Sequence, residues 1–150
     1  MTAPLVIFDL DGTLSDASHR QHLVQGTKKD FRAFYAACYL DSPKQPAIAV
    51  LRALHAAGNE IWIWSGRSDE VIVKTFEWLA KYELLPLIRH FRMRVEGDYT
   101  PDDKLKMFWY GELTQADKER LLLTFDDRDR MVKAWRERGV TCFQVAPGDF

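Results

Sequence analysis

Cysteine is scarce in this sequence, and several patterns that define a class of function are missing. Of its 150 residues only two are cysteines, Cys38 and Cys142, and neither stands in CxxC or CxxH spacing. Neither a zinc site nor a disulfide framework is indicated, so we expect two free thiols in a cytoplasmic protein. The sequence also contains no GxxxxGK[ST] phosphate-binding loop, and we expect no kinase domain of that type in the chain.

Long apolar runs and an excess of charge of one sign are absent as well. The apolar stretch near the N-terminus reaches a carboxylate by Asp9, which makes it too short for a signal peptide or a membrane span. We therefore expect no membrane association. Lys and Arg number 21 against 22 Asp and Glu, for a formal net charge of -1. Any binding to nucleic acid must then come from a local basic surface.

The apolar residues that are present follow the pattern of a globular α/β protein. They make up 47% of the sequence against 29% charged residues, and the length suits a single domain over residues 1–150. Short apolar runs alternate with helical stretches, which predicts a five-stranded parallel sheet between two layers of helices. The predicted strands are 5–8, 60–64, 91–95, 121–125 and 140–145, and the predicted helices are 47–57, 69–82, 104–110 and 128–139. Asp69 and Thr100 are the predicted N-caps of the second and third of these helices.

Residues 15–46 interrupt this alternation after the first strand. Five apolar or aromatic residues between Phe31 and Tyr39 stand at helical spacing, and the DSP turn at 41–43 follows them. We expect a small helical insertion that covers part of a pocket, in place of a large cap domain.

Polar residues with catalytic potential follow three of the predicted strands. Asp9 and Asp11 follow the first strand, Ser65 and Arg67 the second, and the pair Asp126-Asp127 a later one. Such residues also occur as ordinary turn and cap residues, but the carboxyl ends of parallel strands meet at one edge of a sheet. Four carboxylates gathered there repel one another unless a cation binds, and oxygen ligands favour Mg²⁺.

The motifs resemble those of the haloacid dehalogenase superfamily of phosphatases. The run DLDGT at 9–13 is similar to its DxDGT signature, SGR at 65–67 to its second motif, and Asp126-Asp127 to its fourth. A lysine near the start of a later helix supplies the third. Within the superfamily the chain resembles the 3′-phosphatase domain of bacteriophage polynucleotide kinase/phosphatase, in the SGR form, the GD and DD pairs at 97–98 and 102–103, the DDR run at 126–128 and the ending QVAPGDF at 144–150.

This resemblance implies a Rossmann-like fold and Mg²⁺-dependent hydrolysis through a phospho-aspartate. Asp9 would be the nucleophile and Asp11 the general acid and base. The metal would be held by Asp9, the backbone carbonyl of Asp11 and Asp126, with Asp127 favoured as a neighbour of the metal rather than a direct ligand.

The resemblance also implies a set of phosphate-binding residues. Ser65 would donate its hydroxyl to the phosphate, and Lys106 is favoured over Lys104 as the lysine that offsets its charge. Asp102 would orient this network. Two arginines, Arg20 and Arg67, would lie near the phosphate or the adjoining nucleotide. The remaining contacts would come from Thr13 in the first motif and Gly66 in the second.

The implied substrate is the 3′-phosphate end of DNA or RNA. Mononucleotides or another small phosphate ester are the alternative, and a non-catalytic nucleic-acid-binding module is a third possibility. The basic stretch from Arg89 to Arg94 can be read either as a track for a nucleic-acid backbone or as an edge strand with a solvated face.

Overall fold

A five-stranded parallel sheet forms the middle layer of the protein. The structure, a computed structural model, describes residues 2–150. The strands are β1 (Leu5–Phe8), β2 (Ser15–Asp16), β3 (Ser42–Pro43), β4 (Glu60–Ser68), β5 (Ile88–Arg94), β6 (Leu121–Asp126) and β7 (Cys142–Gln144). The helices are α1 (Phe31–Ala36), α2 (Gln45–Ala56), α3 (Ile72–Lys81), α4 (Asp102–Glu112), α5 (Gln115–Arg120) and α6 (Asp129–Glu137).

The strand order is β5-β4-β1-β6-β7, and every neighbouring pair is parallel. The chain moves outward from β1 to β4 and β5 on one side and returns to β6 and β7 on the other. A crevice forms at the carboxyl ends of the strands where the order reverses, which here lies beside β1. The predicted Rossmann-like fold with five parallel strands is confirmed.

Apolar layers on both faces explain why the central strands are continuous apolar runs. All four residues of β1 are buried, and they contribute alternately to two core clusters, one on each side of the sheet. On one side Trp64 lies 5.7 Å from the ring of Trp109 and 5.9 Å from that of Trp135, which ties β4 to α4 and α6. Truncating a buried Trp of this kind costs about 3 to 5 kcal/mol.

Several boundaries differ from the sequence-based predictions. β5 starts at Ile88 rather than 91, because Ile88 already pairs with Ile61 of β4, and of this edge strand only Met93 is buried. The last strand is only three residues long, and α5 was not predicted; Thr114 caps it by accepting the N–H of Asp117.

Two predicted helix caps are wrong. Ser68 rather than Asp69 caps the turn that precedes α3, while Asp69 accepts the N–H of Glu96 from the loop after β5. Thr100 does not cap α4, because its hydroxyl donates to Asp98 at 2.7 Å instead. In both places a polar side chain stabilises a neighbouring loop rather than the helix start.

The insertion after β1 is closed at its base by the short antiparallel pair β2 and β3. Between them lie a 3-10 turn at Ser18–Val24, the six-residue helix α1, and a second 3-10 turn at Cys38–Leu40. The segment is therefore small and helical, as predicted, although only α1 is α-helical. Within residues 2–150, no helix combines the length and the apolar character needed to cross a bilayer.

Candidate active site

The loop after β1 wraps around one backbone carbonyl. The N–H groups of Thr13, Leu14 and Ser15 all donate to the carbonyl of Leu10 at 2.9 to 3.2 Å. Gly12 has φ +84°, and a Cβ at this position would overlap the carboxylate of Asp127. Glycine is thus required both by the backbone conformation and by the approach of the fourth motif.

Three carboxylates meet where β1 and β6 end, and we call them the acidic cluster: Asp9, Asp126 and Asp127. All three are buried, and one oxygen from each lies within 4.8 Å of the others. Asp126 is already held in place, since its Oδ1 accepts the N–H groups of Asp127 at 2.9 Å and Arg128 at 3.1 Å. The cluster offers oxygen atoms only, which suits a hard divalent cation.

Within residues 2–150, Lys106 is the positively charged side chain that contacts the acidic cluster. Its buried Nζ lies 2.7 Å from Asp9 Oδ1, 3.2 Å from Asp126 Oδ2 and 3.5 Å from Asp102 Oδ2. Burial alone would lower the pKa of Lys106, but Asp102, Asp126 and Asp9 outweigh it and raise the pKa well above its usual value. Lys104 is exposed on the same helix, so α4 turns Lys106 toward the site.

One ammonium does not balance the acidic cluster. Burial, followed by repulsion from Asp126, raises the pKa of Asp9 well above its usual range despite the contact with Lys106. The same two causes raise the pKa of Asp127 to about 6. The residues present therefore fit a further positive charge, such as a metal ion, between these carboxylates.

Asp11 lies in a different environment, which we call the arginine network: Asp11, Arg20, Asp41 and Arg67. Arg20 reaches Asp11 and both oxygens of Asp41 at 2.8 Å, and Arg67 also donates to Asp11. Burial would raise the pKa of Asp11, but Arg67 and Arg20 together outweigh it and hold the pKa well below its usual range.

Asp41 and Lys44 are site residues that the sequence analysis missed. The sequence predicts only a turn at Asp41, yet Asp41 is buried and also lies 2.7 Å from His19 Nε2. Lys44 donates to the carbonyl of Gly12 at 2.9 Å and so ties the end of the insertion to the loop after β1. Asp41 could have been found only from the need of a buried arginine for a carboxylate that balances its charge. The sequence does not show that Arg20 is buried, so this signal is missing.

The remaining predicted residues lie at the same edge of the sheet. Thr13 donates to Asp9 Oδ2 at 3.2 Å, and the hydroxyl oxygen of buried Ser65 accepts the N–H of Arg67 at 3.1 Å. Gly66 lies so close to Asp102 that a Cβ would overlap its carboxylate. The structure thus brings every predicted catalytic, metal-binding and phosphate-binding residue into one region.

The basic stretch of β5 is only partly at this site. Arg92 pairs with Glu112 at 2.9 Å on the outer edge, and His90 packs against Trp62. Arg94 alone lines the cleft, where it donates to the carbonyls of Gly66 at 2.7 Å and Thr100 at 2.6 Å. Most of the stretch therefore behaves as a charged edge strand.

A cleft of about 730 Å³ opens above these groups. Its floor includes Asp9, Asp11 and the pair Asp126-Asp127, and its walls come from the insertion, from Arg94 and from the C-terminal residues up to Phe150. This volume is within the range of small-molecule sites in proteins.

Comparisons with known proteins show the family to which this chain belongs. Residues 3–150 match the family described as the polynucleotide kinase PNKP phosphatase domain. A chain of the Pnkp1/Rnl/Hen1 RNA repair complex is 30% identical with a TM-score of 0.82, covering 99% of this chain and 44% of that one. A chain from a second Pnkp1/Rnl/Hen1 complex structure is 31% identical with a TM-score of 0.80, covering 100% of this chain and 48% of that one. This chain thus spans less than half the length of either.

More distant structures share the fold. The class C acid phosphatase from Bacillus anthracis with tungstate bound is 14% identical with a TM-score of 0.67, covering 99% of this chain and 68% of that one. A haloacid dehalogenase-like hydrolase from Streptococcus pneumoniae is 13% identical with a TM-score of 0.62, covering 95% of this chain and 84% of that one. The match over residues 3–150 shows that this chain belongs to the PNKP phosphatase domain family and is a phosphatase of the haloacid dehalogenase type.

Proposed function

We propose that the protein is a Mg²⁺-dependent phosphomonoesterase that removes 3′-phosphates from nucleic-acid ends through a phospho-aspartate on Asp9. The observation that carries the proposal is the position of Asp9, which belongs to the acidic cluster and shares the floor of an open cleft with Asp11 of the arginine network. Two carboxylates two residues apart in sequence thereby have different surroundings, which suits different chemical roles.

Asp9 is the proposed nucleophile. Its Oδ1 is held by Lys106 and its Oδ2 by Thr13, which fixes the orientation of the carboxylate at the base of the cleft. One carboxylate oxygen would form a bond to phosphorus as the bond from phosphorus to the leaving oxygen breaks. A water molecule would then attack the acyl phosphate, releasing inorganic phosphate and restoring Asp9.

Asp11 is the proposed proton donor and acceptor. It would protonate the leaving oxygen in the first step and take a proton from the attacking water in the second. With its low pKa, Asp11 is ionised in the substrate-free protein, which is the form that the second step needs. Protonation for the first step requires that the incoming phosphate share Arg20 and Arg67 with Asp11.

The acidic cluster is the proposed Mg²⁺ site. Asp9, Asp126 and Asp127 would hold the ion together with the backbone carbonyl of Asp11, and the repulsion that raises the pKa of Asp9 supports this. Bound Mg²⁺ would offset the negative charge of the phosphate and of the carboxylates around it. Asp126 already accepts hydrogen bonds from two N–H groups and Lys106, which occupy part of its carboxylate. We therefore include Asp127 as a metal ligand beside Asp126.

Phosphate binding is assigned to the groups around Asp9. Ser65, Lys106 and the loop at 12–13 would contact the phosphate oxygens, and Arg67 with Arg20 would contact the phosphate or the adjoining nucleotide. Asp102 and Gly66 position this set, because the Asp102 carboxylate fits only against a residue without a Cβ.

The choice of a nucleic-acid end rests on the cleft and on the relatives. The cleft is open, and we propose that residues 15–46 cover it only in part within a single domain at 1–150. The two relatives at 30% and 31% identity belong to complexes named for Pnkp1, Rnl and Hen1, one of them called an RNA repair complex. A phosphatase for mononucleotides is the second candidate, because the same cleft would admit one.

The test compares kcat/KM on four substrates, each with Mg²⁺ and with chelator. These are oligonucleotides ending in 3′-phosphate, oligonucleotides ending in 5′-phosphate, 3′-mononucleotides and 5′-mononucleotides. We expect the 3′-phosphate ends to be preferred and the activity to vanish in chelator. A preference for mononucleotides would overturn the assigned substrate, and full activity in chelator would overturn the mechanism.

A further inference from the structure

One wall of the catalytic cleft is aromatic and comes from the insertion. Phe31, Phe34 and Tyr35 of α1 all line the cleft that contains Asp9 and Asp11. Residues three and four positions apart share one face of a helix, so α1 presents these three rings together. The centroids of Phe31 and Tyr35 lie 6.3 Å apart, and those of Phe34 and Tyr35 lie 5.7 Å apart.

The three rings differ in how far contacts within the protein account for their positions. The guanidinium of Arg20 lies 4.2 Å from the centroid of Phe34, so this ring supports the arginine network. Tyr35 packs partly against a small cluster around Cys38 and also faces the cleft. Phe31 is 39% exposed and belongs to none of the three apolar clusters found in residues 2–150. Burial in a core therefore does not account for Phe31 and accounts for only part of Tyr35.

A second hollow extends the cleft past the same two rings. Phe31, Tyr35 and Arg94 line both, and the hollow also contains Tyr99 with three acidic residues, Glu70, Glu96 and Asp98. Arg94 donates to backbone carbonyls but keeps its positive charge, so Arg32 and Arg94 together stand against three acids and the hollow retains an excess of one negative charge. This charge disfavours a phosphodiester next to Phe31, whereas it does not repel an uncharged base.

We propose that Phe31 and Tyr35 form a stacking surface for the base of the terminal nucleotide, whose phosphate is delivered to Asp9. The inference rests on the proposed function and narrows it, because it makes the nucleoside part of what the site recognises. Stacking on an aromatic side chain tolerates every base, so the surface would select for the presence of a base and not for its identity.

The test uses two oligonucleotides that differ only in the last base. Both end in a 3′-phosphate, but in one the terminal sugar is abasic. The variants are Phe31→Ala and Tyr35→Leu, and the matched control is Phe108→Ala, which removes a 67% exposed ring on α4 that lines neither the cleft nor the second hollow. Phe31 is 39% exposed, so we expect its truncation to cost little stability, and thermal unfolding checks the folding of both Phe31→Ala and Tyr35→Leu.

We expect each cleft variant to raise KM about 10-fold for the oligonucleotide with a terminal base, while kcat changes little. Neither variant should alter KM for the abasic oligonucleotide, and Phe108→Ala should alter neither. The result should be the same with each of the four bases. Equal losses on both oligonucleotides, or no loss on the one with a base, would overturn the inference.

A binding measurement separates this inference from the proposed function. The affinity of the Asp9→Asn variant for both oligonucleotides is measured by fluorescence anisotropy, which needs no chemistry. Tighter binding of the oligonucleotide with a base, lost in Phe31→Ala, supports the stacking surface even if the wild type hydrolyses neither substrate and the proposed function fails. Equal binding of the two oligonucleotides overturns the stacking surface even if 3′-phosphates are hydrolysed.

Discussion

The acidic cluster and the arginine network lie side by side but differ in their balance of charge. The cluster brings three buried carboxylates against one ammonium, whereas the network pairs two carboxylates with two guanidinium groups. Consequently the pKa of Asp9 is raised and that of Asp11 is lowered, although only one residue separates them.

The difference shows which of the two charge clusters is neutralised by the protein's own side chains and which one is left for a ligand to neutralise. The arginine network is balanced within the chain, so its geometry is fixed before any substrate arrives. The acidic cluster retains an excess of negative charge, which a cation can neutralise. This contrast fits the proposed roles, because the arginines already hold Asp11 in place while Asp9 stands in a cluster that a further cation would stabilise.

Replacing the two neighbouring aspartates one at a time gives the largest contrast. Asp9→Asn should lower kcat by about 10⁴-fold or more, because no carboxylate remains to accept the phosphoryl group. Its metal-free stability should be unchanged or higher, since one charge leaves a crowded cluster. Asp11→Asn should also be nearly inactive but should be less stable, because Arg20 and Arg67 lose a partner. Steady-state kinetics and urea unfolding in chelator measure both, and equal destabilisation of the two variants would remove the distinction drawn between the regions.

Lys106→Met tests the balance within the acidic cluster. Without the ammonium the buried carboxylates are uncompensated, so the free energy of unfolding in chelator should fall by about 3 to 5 kcal/mol. Mg²⁺ should then stabilise the variant more than it stabilises the wild type, for which the gain is about 2.7 kcal/mol at 100 times the dissociation constant. Lys104→Met on the same helix is the matched control and should behave as wild type. A loss in Lys104→Met of the same size would contradict the placement of Lys106.

Much of the fold could be predicted from local sequence patterns. β1 is an uninterrupted apolar run followed by Asp9, and β4 contains the apolar run 61–64 followed by polar residues; both patterns follow directly from burial on both faces of a parallel sheet. α5 was missed because it is short and polar, and Thr114 marks its start only by a cap. The cap of α3 was misassigned because Ser68 and Asp69 are both suitable, and only the contact of Asp69 with the loop after β5 decides between them.

The site was predictable only as far as motifs reach. Asp9 follows β1, Ser65 follows the apolar part of β4 and Asp126 ends β6, so the sheet topology alone brings them together. Asp41 lies in the insertion, whose path the sequence does not determine, and its contacts with Arg20 arise from tertiary packing. The same is true of Phe31, whose exposure no periodic pattern could reveal.

Asp41→Asn tests the arginine network with a residue that does not follow a motif. The change leaves the buried guanidinium of Arg20 with less compensating charge, so the free energy of unfolding should fall by about 3 kcal/mol. Because Arg20 and Arg67 would then hold Asp11 less well, kcat should fall by about 100-fold while KM for a 3′-phosphate end changes less. Unchanged kcat with reduced stability would limit Asp41 to a structural role.

An ion pair far from the site provides the smallest effect and the baseline for the others. Arg120 lies 2.8 Å from Glu60 and 2.8 Å from Asp117 near the start of β4, and its hydrogen bond to Glu60 lowers the pKa of that carboxyl. A lowered folded-state pKa stabilises the protein above the unfolded value of about 4.3, and this contribution is lost as the pH falls through the folded-state pKa. Glu60→Gln should therefore cost under about 1 kcal/mol at pH 7, less at pH 4, and leave kcat/KM unchanged. Urea unfolding at the two pH values measures the change, and a cost that grows toward pH 4 would contradict the assigned direction.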